Sequence, residues 1–298
     1  MTERAEEWRQ TTWRNLESLL LEEWSRWGYR EVEVPFLAPW EVYAPYWEGR
    51  EGEVVRFLDP GGGIQALRPD LTPLVAHLVR EGWGQGERPL RLCYAGPVFR
   101  RASGWVEEQR QAGLELVGWG EKEAELEVIL CAAAGLRAAG VEDFRLALGL
   151  PSLVEKVLAE RGFGESDIRR ALGWLARRDY AALEEMLQGI PAGEEIHRWL
   201  LFGGEAIPST AGGEEAASLL ELAGELSRAG LEERVVLDWG LVREMGYYRG
   251  MVFEVSVAGS GQPLGGGGRY VLSADGREEP AVGFALRLEP LLREAVRG

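Results

Sequence analysis

The sequence predicts an α+β fold: one antiparallel or mixed sheet flanked by helices and interrupted by a helical insertion over residues 151–230. Two observations carry this expectation. Strand-like alternation fills much of the chain before residue 150 and resumes at Val235, while Pro151 to Gly230 has helical spacing almost throughout. Strands on both sides of a helical stretch read most simply as one interrupted sheet, so residues 1–298 are taken as a single fold carrying an insertion.

The elements follow in order. Trp8, Trp13, Leu16, Leu19, Leu20, Trp24 and Trp27 stand mostly three to five apart, the stripe of an amphipathic helix, and Gly28 stops it. Tyr29 to Leu37 alternates like a strand, with Pro35 marking an edge or the end of pairing. Glu53 to Leu58 and Ile64 to Arg68 form a hairpin around the turn Asp59 to Gly63. Leu71 to Glu81 returns to helical spacing. Leu90 to Val98 and Gln111 to Gly118 read as strands joined by a polar loop, Phe99 to Arg110, a place where function could sit.

Glu121 to Ala139 is a helix closed by Gly140, and Phe144 to Leu150 is a strand. The helical stretch that follows is broken at Gly162, Gly189, Pro191 and the loop Gly203 to Gly213. Strands return at Val235, at Tyr248 to Val257 and at Ala281 to Leu288, and a last helix starts at Pro290.

Composition narrows the function. With 46% hydrophobic and 28% charged residues the chain is an ordinary globular protein. It has no apolar run long enough to span a bilayer and a polar, acidic N-terminus, so it is expected to be soluble and cytoplasmic, without a membrane partner. A net charge of -16 repels a phosphate backbone, which argues against nucleic acid as the ligand. Cys93 and Cys131 are the only cysteines and read as buried thiols. His77 and His197 have no partners at ligand spacing, so no metal and no cofactor are expected. Gly265 to Gly268 before Arg269 and Tyr270 lacks the ending of a phosphate loop and reads as a tight turn or a close backbone approach.

Two distant stretches carry the chemistry. LRPDLTP (67–73) supplies Arg68, Asp70 and Thr72; LVREMGYYRGMVFE (241–254) supplies Arg243, Tyr247 and Tyr248. Carboxylate, guanidinium and phenol together suit a zwitterion: Asp70 could pair with an ammonium and Arg243 could fork a carboxylate. Gln111 and Glu115, four apart on a strand, point to one face and could read a polar side chain together. Charges in strands need partners, and internal salt bridges would serve Asp70, Glu115 and Arg243 equally well.

These segments, in this order and over essentially the whole chain, resemble the catalytic domain of histidyl-tRNA synthetase, a class II synthetase with an antiparallel sheet flanked by helices. Trp24 to Pro35 is similar to the family's dimer-forming first motif, LRPD to its LRPE, YAGPVFRR with QAGLELVG to its second motif, and LVREMGYYRGMVFE to its histidine signature. GGGGRY and AVGFALRLE are similar to its closing segments. The resemblance implies that Asp70 and Thr72 face a ligand amino group, Gln111 and Glu115 lie beside the amino acid, and Tyr248 and Tyr270 line the imidazole. By the same resemblance Arg243 lies near the carboxylate, and Arg100 matches the arginine that touches the α-phosphate.

The departures fall on the nucleotide side. The family's Arg-x-Glu is Arg100-Arg101-Ala102, and Pro290 stands where an ATP-binding arginine is usual. Proline cannot clamp a triphosphate. Glu244, Met245 and Gly246 replace the usual Gly-Leu-Asp, and no anticodon-binding domain is expected.

This pattern resembles the regulatory-subunit family of ATP phosphoribosyltransferase, a synthetase paralogue. The resemblance implies no catalytic residues, a short-form catalytic subunit as partner, L-histidine as feedback ligand, and a homodimer within a larger hetero-oligomer, without tRNA. The alternatives are a tRNA-independent histidine-activating enzyme or a synthetase-like scaffold.

Overall fold

The computed structural model describes residues 13–82, 86, 88–102, 104–120, 122–202, 213–243, 247–274 and 277–297. Trp8, the loop at 203–212 and the departures at 244–246 therefore lie outside the described residues. The chain divides into two units: Met1–Asp143 with Val257–Gly266 and Tyr270–Gly298, and Phe144–Ser256 with Gly267–Arg269.

In the first unit, helix α1 (Trp13–Ser25) buries Leu16, Leu20 and Trp24, the four-residue stripe of its sequence. Gly28 ends it with φ +86, which glycine adopts without a Cβ clash. Strand β1 (Arg30–Glu31) then pairs parallel to β5, whereas β2 (Leu37–Pro39) joins a separate three-stranded sheet ordered β2-β4-β3. The single strand expected over Tyr29–Leu37 is thus two. Pro35 cannot donate to a ladder and restricts Val34, so pairing lapses between them.

Helix α2 (Trp40–Tyr43) follows, and β3 (Arg56–Leu58) pairs with β4 (Ile64–Leu67) around the expected turn. There Asp59 Oδ1 accepts from the Gly61 and Gly63 backbone N–H groups at 2.8 and 2.9 Å. Helix α3 spans Thr72–Arg80.

Strands β5 (Leu90–Ala102) and β6 (Trp105–Val117) make one long hairpin, in register from Leu90↔Val117 to Ala102↔Trp105. The polar loop expected over Phe99–Arg110 is instead its outer arm. Exposed polar side chains do not weaken a backbone ladder, so polarity there marks solvent exposure rather than a break. Helix α4 (Lys122–Ala138) packs on α1: Trp24 Nε1 donates to the Cys131 carbonyl at 3.0 Å. Gly135 makes room for that indole, since a Cβ there would lie 3.0 Å from it.

The second unit holds β7 (Arg145–Gly149), helices α5 (Pro151–Glu160), α6 (Glu165–Ala176), α7 (Tyr180–Leu187), α8 (Gly193–Phe202) and α9 (Gly213–Leu226), then β8 (Val235–Leu237) and β9 (Tyr248–Ser256). Its strands run β9-β7-β8, with β7 antiparallel to β9 and parallel to β8. The chain then supplies β10 (Gly265–Ala274), β11 (Arg277–Arg287) and α10 (Leu288–Arg297). In the first unit the strand order is β1-β5-β6-β11-β10, with β6 antiparallel to both neighbours.

Gly265 to Gly268 open a strand, and close backbone approach explains the first and last of these glycines. A Cβ on Gly265 would lie 2.3 Å from the Ala285 carbonyl oxygen. Cys93 and Cys131 are free and buried, and burial pushes the Cys93 thiol up to about 12. Among the described residues no helix is long and apolar enough to cross a membrane.

Candidate functional site

The register of β5, β6 and β11 decides what faces what. Residues opposite one another on neighbouring strands share a sheet face, and each strand alternates. Gln111, Gly113 and Glu115 of β6 therefore share a face with Leu92, Tyr94 and Gly96 of β5 and with Gly283, Ala285 and Arg287 of β11. Gly96, Gly113, Gly283 and Ala285 bring almost no side chain to that face. They form a low floor on which Tyr94, Gln111 and Glu115 stand.

Two of these glycines are irreplaceable on geometry. A Cβ on Gly283 would lie 1.7 Å from Glu115 Oε2, and one on Gly113 would lie 2.2 Å from the Phe284 carbonyl oxygen and 2.8 Å from the Tyr94 hydroxyl. The close approach of β11 therefore leaves room for the Glu115 carboxyl only because residue 283 has no side chain.

Glu115 is 1% exposed and stands at the centre of a hydroxyl cage. Its Oε1 accepts from Thr72 Oγ1 at 2.8 Å and from the Tyr94 hydroxyl at 3.0 Å; Oε2 accepts from the Tyr270 hydroxyl at 2.7 Å. Thr72 Oγ1 and the Tyr94 hydroxyl are themselves 3.1 Å apart. No cation is among these partners. Burial pushes the Glu115 carboxyl up to about 7, the three hydroxyls pull against the rise, and the like charge of Asp70 adds to it. The same burial, with the Glu115 charge, drives the Tyr94 phenol well above its usual range, so it remains a donor.

Beside this cage lies an ion pair. Asp70 Oδ1 accepts from the Thr72 backbone N–H at 3.0 Å, holding the start of α3, and Oδ2 accepts from Arg100 Nη2 at 3.0 Å. Arg100 Nε donates to the Pro69 carbonyl at 2.8 Å. Of the two partners the sequence left open for Asp70, an internal arginine and a ligand ammonium, the first is present. Arg68 is a structural tie: its Nε donates to the Pro97 carbonyl and its Nη1 to the Val34 carbonyl, both at 2.6 Å, and its guanidinium lies 4.3 Å from the Phe36 ring centre. Gly96 accommodates this arginine, since a Cβ there would lie 2.6 Å from Nη2.

Gln111 shares the Glu115 face, as its spacing implied, and is 4% exposed. Its Oε1 has no hydrogen-bond partner among the described residues, and neither have the buried Tyr43 hydroxyl and Trp47 Nε1. An unsatisfied buried acceptor is costly unless something arrives to use it. Arg100 lies 5.8 Å from the Trp47 ring centre.

The structure thus brings together Asp70, Thr72, Arg100, Glu115 and Tyr270, all in the first unit, with Gln111 on the same strand face as Glu115. Arg243, Tyr247 and Tyr248 belong to the second unit, where the two tyrosine rings lie 4.6 Å apart and Tyr248 begins β9. Sequence reasoning missed Tyr94 and Gly283. Both sat in segments read as strands and matched to family motifs, but neither residue was singled out, because their places depend on cross-strand register, which no single segment encodes.

The histidyl-tRNA synthetase family model matches residues 5–291. An ATP phosphoribosyltransferase regulatory subunit from Moorella thermoacetica is 38% identical over 94% of this chain and 77% of its own length. A solved structure described as an ATP phosphoribosyltransferase regulatory subunit/histidyl-tRNA synthetase from Bacillus halodurans superposes with a TM-score of 0.86 at 31% identity, covering 96% of this chain and 79% of that one. A chain of an ATP phosphoribosyl transferase complex from Thermotoga maritima shares the fold, with a TM-score of 0.68 at 20% identity over 90% of this chain and 94% of that one. The class II synthetase-like fold, the extent of the family match and the regulatory-subunit relatives lead to one conclusion: the chain belongs to the ATP phosphoribosyltransferase regulatory subunits of the histidyl-tRNA synthetase family.

Proposed function

We propose that this chain acts in the cytoplasm with a short-form ATP phosphoribosyltransferase catalytic subunit at the first step of histidine biosynthesis, and that L-histidine bound at the Glu115 cage conveys feedback. The subunit is regulatory and performs no covalent step itself. The observation that carries the ligand reading is Glu115: a carboxyl that the sheet buries completely, with a glycine floor beneath it and an unsatisfied Gln111 acceptor on the same face. A polar ring that hydrogen-bonds through nitrogen answers both groups. Thr72 belongs to the cage and Asp70 stands beside it, where the amino acid's ammonium would compete with Arg100 for the Asp70 carboxylate.

Arg100 supports the absence of nucleotide chemistry. Its Nε and Nη2 are committed to Pro69 and Asp70, and Pro290 brings no cation to a triphosphate. Feedback is then a coupling free energy between the histidine site and the catalytic partner.

The test is the phosphoribosyltransferase rate of a short-form catalytic subunit with and without this chain, across a histidine titration. The expected result is activation by the chain and inhibition by histidine only when the chain is present. A rate indifferent to the chain would overturn the proposal.

A further inference from the structure

We propose that the site holds one proton shared between Glu115 and the imidazole of bound histidine, so that histidine binding, and with it feedback, is linked to pH. This rests on the reading of the Glu115 cage as the histidine site and adds its protonation chemistry.

The geometry carries the argument. Among the described residues, the groups facing Glu115 are Thr72 from α3, Tyr94 from β5, Tyr270 from β10, Asp70 from the segment before α3, and Tyr46 from the turn after α2, whose phenol also feels Arg80 of α3; Gly283 of β11 adds only backbone. Three are neutral hydroxyl donors in direct contact. Asp70, the other carboxylate among them, has the same sign as a Glu115 carboxylate, and its cation Arg100 is bound to it at 3.0 Å. A fully buried carboxylate with a like charge nearby and no cation in contact favours its protonated form. The carboxyl accordingly titrates at about 7.

An imidazole entering this cage finds either a carboxylic acid that donates to its bare nitrogen or a carboxylate that accepts from its imidazolium N–H. Both pictures contain the same single proton in one O···H···N bridge, and no other bond changes. A second proton would set two donors against each other. With none, the carboxylate could still accept from the N–H of a neutral ring, but its charge would stay buried without a counter-charge.

The consequence is a proton count that changes sign. Above pH ~7 the free site lacks the proton and free histidine is neutral, so binding takes one up. Below the ~6.5 of a free imidazole both partners carry a proton, so binding releases one. Affinity is then highest between these limits and falls about tenfold per pH unit outside them.

The experiment is isothermal calorimetry of L-histidine binding to the full chain at pH 5.5, 6.7 and 8, each in two buffers of different ionisation enthalpy. Expected are release of about one proton, near zero, and uptake of about one. Histidine binding without proton uptake at pH 8 would overturn the proton linkage and leave the histidine site standing. Absence of binding at every pH would remove the site reading and the inference with it. The variant Glu115→Gln, checked for native folding by circular dichroism, is expected to bind more weakly and without uptake at pH 8. Retained uptake in that variant would place the proton elsewhere and refute the assignment.

Discussion

The two faces of β5, β6 and β11 are made by the same residues taken alternately, yet they obey different rules. On one face Cys93, Leu114, Val282 and Phe284 are buried, and Phe284 meets Trp24 of α1 edge to face at 5.4 Å. On the other, Tyr94, Gln111 and Glu115 stand over Gly96, Gly113, Gly283 and Ala285, with Leu92 opposite Glu115 and Arg287 opposite Gln111. The first face maximises apolar contact; the second withholds side-chain volume so that polar groups have space. A period of two lets neighbouring residues such as Gly283 and Phe284 serve opposite purposes.

Substitutions at that adjacent pair would separate the faces most strongly. Phe284→Ala removes the ring that Trp24 packs against and is expected to cost about 4 kcal/mol, the usual range for a buried phenylalanine. Chemical denaturation would measure it. At temperatures where the variant remains folded, histidine affinity should be close to that of the parent chain; a loss of affinity as large as the loss of stability would mean the faces are not separable.

Gly283→Ala tests the opposite face. One methyl group would have to share space with Glu115 Oε2, which lies 1.7 Å from the ideal Cβ position. The expected cost is about 3 kcal/mol, the upper end for overpacking. Because the carboxyl must move to accommodate it, histidine binding should be lost even where the variant is fully folded. Calorimetry showing parental affinity would break the proposal that the carboxyl position defines the site.

The two faces also differ in how legible they were. The apolar face follows from periodicity alone: Leu16, Leu20 and Trp24 at four-residue spacing and the buried runs of β5 and β6 were readable without a partner strand. Gln111 and Glu115 were readable as one face for the same reason. Tyr94 and Gly283 were not, because what places them at the Glu115 cage is their pairing with Gly113 and Glu115, set by how three distant segments register. Polarity misled over Phe99–Arg110, where a hairpin arm is held by its ladder and its side chains are free to be hydrophilic. Arg68 and Asp70, adjacent in type and spacing to a ligand motif, diverge in the fold: Arg68 ties backbone segments, and Asp70 stands beside the cage.

The smallest expected effect carries the sharpest pH signature. With its folded value raised from 4.5 to about 7, Glu115 retains a proton in the native state that the unfolded chain has lost. The stability this group contributes is present in full below pH ~4.5 and is lost as pH rises toward ~7, by about 3 kcal/mol in all. Tyr270→Phe removes the 2.7 Å donor to Oε2, which favours the carboxylate, so the folded value should rise further and the decline should extend to higher pH. The cost of Tyr270→Phe should therefore be about 1 kcal/mol at pH 4, where a neutral acid loses one hydrogen bond, and about 2 kcal/mol at pH 8, where a buried carboxylate loses it. A comparable tyrosine far from Glu115 would show no such dependence. Denaturation curves at the two pH values giving equal costs would mean that Tyr270 does not hold the charged form, and the polar face would then be ordered by packing like its opposite.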